Sequence, residues 1–246
     1  MLIYIYWRYD KIRCMKNTIL IAEDDGEIID ILKLYLENDT SEVVTACDGL
    51  EALAKFDQHD IDIALVDIMM PNVDGYTLIK KIRKTSNIPI IVISAKTMES
   101  DKILGLNLGA DDYIEKPFKG LEVAARVNSQ LRRYNKLGAS DSLQGEPVLR
   151  VGKLILNTQD ISLSKNGESI DITPAEYKIM RLFMQSPGTV FTKSQIYNKV
   201  FGEFFESDEN TLMVHISNLR SKIEDDSRNP GYIKTIRGLG YKIEKR

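Results

Sequence analysis

Apolar positions divide the chain into two halves with different rhythms. In the first half, short apolar runs alternate with stretches of helical period. TILIA (18–22), 42–46, IDIALV (61–66), PIIVIS (89–94) and 112–114 read as strands. Between and after them, EIIDILKLYLEN and residues 49–56, 76–84, 99–108 and 121–134 repeat at helical spacing. Five strands alternating with helices through short connections predict a doubly wound five-stranded parallel α/β sheet of the flavodoxin-like kind. The second half opens with alternating runs, LRVGKLILN and DISLSKNGESIDIT, folded at Asn166-Gly167, a strong hairpin signal. Thr173-Pro174-Ala175-Glu176 then predicts a capped helix through Met184, and Thr192 with Gln195 a second, shorter one. Residues 209–225 predict a third, and YIKTIRGLGYKIE a terminal hairpin. Two short helices, a longer third and a terminal hairpin describe an α+β winged helix-turn-helix.

Between the halves, 135–147 (NKLGASDSLQGEP) is polar, has no apolar period and reads as a linker. The expected organisation is therefore an N-terminal extension (1–15), a first domain (16–134), the linker, and a second domain (148–246). The extension, MLIYIYWRYDKIRCM, lacks the apolar segment and cleavage site of a signal peptide, and Met15-Lys16-Asn17 resembles a chain start, so an upstream-start artefact is expected. No apolar run approaches the ~20 residues of a membrane span. Two cysteines, Cys14 and Cys47, give no disulfide framework, and a reduced, cytoplasmic protein is the default. Charge separates the halves again. Residues 15–137 carry 15 Lys+Arg against 21 Asp+Glu, whereas 138–246 carry 15 against 14.

In a doubly wound sheet every strand's C-terminal end faces one rim, where sites form. Here the strand ends deliver Glu23 and Asp24, Asp67, Ser94 and Lys116. Packed carboxylates repel unless a cation joins them, and an all-oxygen set suits Mg²⁺ or Mn²⁺, with the Met69 carbonyl as a further ligand. An Asp beside such an ion can accept a phosphoryl group as an acyl phosphate, with Lys116 neutralising its oxygens and the Ser94 hydroxyl donating to one. Singly each residue has a duller role: a loop carboxylate, a buried serine, a turn lysine, or a helix cap, which is the role expected of Asp25.

EDD at the first strand end, LVDIMMPNVDG, VISAK and GADDYIEKPF resemble the receiver domain of two-component response regulators over about 17–134. The resemblance implies phosphotransfer from a sensor histidine kinase to Asp67, with Mg²⁺ held by Glu23, Asp24, Asp67 and Met69. It also implies a switch in which Ser94 and then Tyr113 move inward. Residues 148–246 resemble the OmpR/PhoB-type effector domain. In that subfamily, positions equivalent to Lys102, Asp112, Glu122 and Arg126 pair across a homodimer formed on phosphorylation. The alternative is solvated surface charge, worth ~0–1 kcal/mol per pair. The outer face of the third helix would offer promoter DNA Asn210, Thr211, Met213, His215, Ser217, Asn218, Arg220 and Lys222, some of them at its borders, with Arg237 at the wing. An ordinary amphipathic surface helix would account for any one of them, and His215 reads equally as a DNA contact or a structural residue. Asn210 and Asn218 stand where relatives often carry arginine, so binding would lean on dimerisation. RNA polymerase is the further partner implied. QLRRYNK, ENTLMVHISNLRSKIED and NPGYIKTIRGLGYKIEK resemble the vancomycin-resistance regulators in particular. The protein would not be a turnover enzyme, beyond a capacity for self-dephosphorylation. A metal-dependent phosphohydrolase and a regulator with a vestigial receiver are the rivals; another envelope-stress or nutrient regulon is the alternative role.

Overall fold

The structure, a computed structural model, describes residues 16–139, 147–202 and 209–245, with side chains omitted for 133–139 and 209. The extension, most of the expected linker and the segment 203–208 lie outside the described residues.

In the N-terminal half the elements run β1 (Asn17–Ala22), α1 (Gly26–Leu36), β2 (Ser41–Ala46), α2 (Gly49–Gln58), β3 (Ile63–Val66), α3 (Gly75–Ile82), β4 (Ile90–Ser94), α4 (Glu99–Asn107), β5 (Asp112–Glu115) and α5 (Gly120–Ala139). The sheet is parallel throughout, in the order β2-β1-β3-β4-β5. Its two faces explain the continuous apolar runs. Leu20, Ala64, Val66 and Val92 pack on one side with Leu78 and Ile79 of α3. Ile19, Ile21, Leu65 and Ile93 pack on the other with Leu32 of α1 and Val123 and Val127 of α5. Strands buried on both faces lose the alternation of a half-exposed strand.

The aspartates that break these runs start helices. Asp25 Oδ1 accepts from the Glu27 amide (2.9 Å), Asp48 caps α2 and Asp74 caps α3. The expected cap role of Asp25 is met. One boundary differs: α5 continues through 135–139, where the sequence reads as linker. Those residues contain no proline, and extending a formed helix is far cheaper than nucleating one.

The C-terminal half begins with an antiparallel four-stranded sheet, β6 (Val148–Val151), β7 (Leu154–Asn157), β8 (Ser162–Lys165) and β9 (Glu168–Ile170). Asn166 and Gly167, both at positive φ (55° and 86°), turn β8 into β9 as expected. α6 (Pro174–Gln185) and α7 (Lys193–Val200) both start with complete capping boxes. α8 (Glu209–Ile223) follows, and β10 (Ile233–Ile236) pairs with β11 (Gly240–Ile243) as the wing. Leu212, Ile216, Leu219 and Ile223 of α8 pack inward with Phe183, Ile196 and Ile233. Phe191 and Tyr241 exchange two backbone hydrogen bonds of 2.9 Å, tying the wing to the body. Gly240 makes this possible, since a Cβ there would lie 2.0 Å from the Phe191 carbonyl oxygen.

The halves touch. α4 packs on α8, and Val214 of α8 rests against the apolar cluster of the N-terminal half.

Candidate functional site

β1, β3, β4 and β5 bring the expected residues to one rim. Glu23, Asp24 and Asp67 offer carboxylate oxygens that all lie within 4.8 Å of one another. Lys116 Nζ donates to Glu23 Oε1 and Oε2 (2.9 and 2.7 Å) and to Asp67 Oδ2 (2.7 Å). Burial, followed by the charge of Asp67 among the raising causes, pushes the Glu23 carboxyl up to about 6, although the Lys116 hydrogen bond pulls it down. The bonds to Asp67 and Glu23 outweigh burial at Lys116 and raise its ammonium. One lysine therefore does not cancel the charge gathered here. Clustered oxygen donors with excess negative charge fit a hard divalent cation.

The loop after Asp67 is closely braced. The Asp67 amide donates to the Ala22 carbonyl (2.8 Å), and the Met69 amide donates to Asp67 Oδ1 (3.1 Å). Gly75 donates to the Ile68 carbonyl (3.1 Å), where a Cβ would lie 2.1 Å from the Asp67 carbonyl oxygen. Gly75→Ala should therefore displace the strand end carrying Asp67. Overpacking of this kind costs ~1–3 kcal/mol. We expect a lower denaturant midpoint together with slower phosphate incorporation; an unchanged midpoint and rate would show that the loop yields freely.

Ser94 is fully buried at the end of β4, and the Lys116 amide donates to its carbonyl (2.9 Å). Its hydroxyl accepts from the Lys96 amide (3.3 Å). Tyr113 already points inward: its ring is 2% exposed and its hydroxyl donates to the Lys96 carbonyl (2.8 Å). Burial raises its phenol.

Lys102, Asp112 and Arg126, expected on a dimer face, are engaged within the chain. Arg126 Nη1 donates to Asp112 Oδ2 and to the Tyr197 hydroxyl of α7, both at 2.8 Å. The Tyr197 hydroxyl donates to Asp112 Oδ1 (3.0 Å). Glu122 accepts from Arg126 Nη2 (2.8 Å) and stays partly exposed. Lys102 is buried over the Tyr113 ring. Lys178 of α6 donates to Gln130 of α5 (3.0 Å).

The expected DNA-reading residues divide three ways. Asn210, Met213, Ser217 and Arg237 are exposed, and Asn218 is half-buried. Arg220 and Lys222 are turned back: Arg220 donates to the Ile233 carbonyl and to the Thr235 hydroxyl (2.8 Å each from Nη2), and Lys222 to Glu176 (2.7 Å). Thr211 and His215 are fully buried, and His215 Nε2 lies 3.1 Å from the Asp111 carbonyl oxygen across the halves. Their burial corrects the expectation of an outward-facing Thr211 and, in this conformation, favours the structural alternative for His215. A second surface, the N-terminal half, covers that side of α8. Sequence reasoning also missed Asp111 and Tyr197. Each had the spacing of an ordinary turn or core position, with no signal of a contact between domains.

Comparison with known proteins agrees with this geometry. Residues 19–128 match the response regulator receiver domain, and 167–243 match the family described as transcriptional regulatory protein, C terminal. The chain belongs to the OmpR/PhoB type of two-component response regulators, which couple a receiver to a winged-helix DNA-binding domain and are regulators rather than turnover enzymes. Response regulator GtcR of Aneurinibacillus migulanus is 46% identical over 231 residues, covering 93% of this chain and 96% of GtcR. Regulatory protein VanR of Enterococcus faecium is 42% identical, covering 94% of this chain and all of VanR. A solved structure of a cysteine-to-serine mutant of RitR shares the fold, with a TM-score of 0.72 at 24% identity, covering 94% of this chain and all of that one.

Proposed function

We propose that this regulator is switched by phosphoryl transfer from a sensor histidine kinase to Asp67, and that the switch governs binding to promoter DNA. The observation that carries the reading is the convergence of Glu23, Asp24, Asp67, Ser94 and Lys116 at one rim, with Lys116 bonded to two of the acids. An Asp67 oxygen attacks the phosphorus of the donor phosphohistidine, the P–N bond breaks, and the imidazole leaves with its electron pair. Lys116 neutralises phosphoryl oxygens as they crowd the acids, and Ser94 turns its hydroxyl toward one of them. Mg²⁺ or Mn²⁺, held by Glu23, Asp24, Asp67 and the Met69 carbonyl, would supply the remaining positive charge.

Phosphorylation then biases an equilibrium between two arrangements. In the arrangement described above, α4 lies beside α8, and Arg126 and Asp112 bond to Tyr197 of the winged half. Docking α8 in a major groove needs α4 cleared from beside it. The same release frees Lys102, Asp112, Glu122 and Arg126 to pair with a second copy. The exposed residues Asn210, Met213, Ser217 and Arg237 are then the first contacts available to bases and phosphates, joined by Thr211, His215, Asn218, Arg220 and Lys222 on rearrangement. RNA polymerase is the proposed downstream partner, and the cytoplasm the proposed location. Among the described residues no helix is long and apolar enough to cross a membrane. The finer role, control of glycopeptide-resistance genes, is supported by the segments shared with the vancomycin-resistance regulators and by the identity to VanR. GtcR reaches a comparable identity under a different name, so the choice of regulon falls to experiment.

The test is footprinting of the full chain across DNA flanking its own gene, before and after beryllofluoride treatment with Mg²⁺, alongside gel filtration. We expect tighter protection and a shift from monomer to dimer. Unchanged affinity and unchanged size would favour a vestigial receiver instead.

A further inference from the structure

The contact between the halves contains a titratable group that phosphoryl chemistry does not use. The His215 ring is fully buried, stacked on Phe201 with ring centroids 5.3 Å apart. A carbonyl oxygen only accepts, so Nε2 carries the proton donated to Asp111. Nδ1 is left buried with no hydrogen-bond partner. The ring is therefore neutral, and a second proton would have nothing to bond to.

The charged surroundings do not change this. Asp111, Asp112 and Glu176 are the acids that favour the imidazolium. Each already holds a cation: Arg83 pairs with Asp111 (2.8 Å), Arg126 with Asp112 (2.8 Å) and Lys222 with Glu176 (2.7 Å). Burial accordingly outweighs these acids and holds His215 below the ordinary histidine value.

We propose that the contact between the receiver and the winged half is a proton-operated closure: His215 must be neutral for α8 to stay docked, so mild acid opens the unphosphorylated protein. Opening exposes the ring to water, where it takes up a proton near pH ~6.5. The closed arrangement binds fewer protons there. Its advantage is full above that pH and falls as pH drops through it, by up to about tenfold per unit until the closed form also titrates. The inference rests on the closed-state reading only for what opening does to DNA binding. Opening itself is measurable without DNA, phosphodonor or metal.

The experiment is small-angle scattering on the unphosphorylated full chain between pH 8 and pH 5.5, with near-ultraviolet circular dichroism to confirm folding. The wild type should expand in acid, while His215→Gln, whose amide can still donate to the Asp111 carbonyl but does not titrate, should stay compact. A wild type of constant radius would overturn the proposal, as would a variant expanding along the same curve. The chain holds only two histidines, and His59 is exposed. Proton NMR therefore supplies a second readout should the variant open at every pH. A His215 ring titrating below the ~6.5 of a free imidazole supports the closure; one titrating at or above it overturns the closure.

Discussion

Asp67→Asn protein incubated with acetyl phosphate and Mg²⁺ should incorporate phosphate only at background level, against stoichiometric labelling of the wild type. The amide is nearly the same size as the carboxyl, so the braced loop is retained. Its nitrogen and neutral oxygen are poor nucleophiles, however, and the acyl phosphate has no acceptor. The substitution also changes its neighbours in a checkable direction. Asp67 is one of the charges raising the Glu23 carboxyl, so its removal should bring that carboxyl down from about 6. The fold should hold, because Lys116 keeps both bonds to Glu23. Labelling equal to wild type, read by intact mass under mild conditions, would move the phosphorylation site elsewhere.

Tyr197→Phe should open the protein without phosphate. Its hydroxyl donates to Asp112 Oδ1 and accepts from Arg126, joining α7 to the buried ion pair of the receiver. Hydrogen bonds to charged groups are worth ~1.5–3 kcal/mol. The two bonds share one hydroxyl and leave the Arg126–Asp112 pair intact, so their joint loss counts as one such contribution. It weakens the closed arrangement by about ten- to a hundredfold on the scale of ~1.4 kcal/mol per decade. The Arg126–Asp112 pair itself survives, so a second copy meets the same charges as in the wild type. We expect the unphosphorylated variant to bind promoter DNA more tightly by up to that factor at fixed salt, and to show a larger radius of gyration. Affinity and radius both equal to wild type would show that this contact does not restrain the winged half.

The gathering of carboxylates, serine and lysine at one rim was legible because topology brings them there. Once 18–22, 61–66, 89–94 and 112–114 are recognised as parallel strands, Glu23, Asp67, Ser94 and Lys116 must share a rim. The inner stripe of α8 was legible for a similar reason, since Leu212, Ile216, Leu219 and Ile223 follow helical spacing and are all buried. Thr211 and His215 were not. Their side of the helix is buried by another domain, and contacts between domains leave no period in the sequence. Arg220 and Lys222 keep the spacing of outward-facing residues while their long side chains reach the Ile233 carbonyl and Glu176, which spacing alone does not show.

The proposed second use of Asp112 and Arg126, in pairing two chains, would make the response depend on abundance. Closure within one chain is first-order and does not depend on the number of copies. Pairing of two chains through the same residues is second-order. A cell making few copies would keep the regulator folded on itself, whereas overproduction would drive pairing by mass action even at low kinase activity. Gene dosage would then be a second input to the circuit, acting through the same few side chains as the proposed phosphate switch.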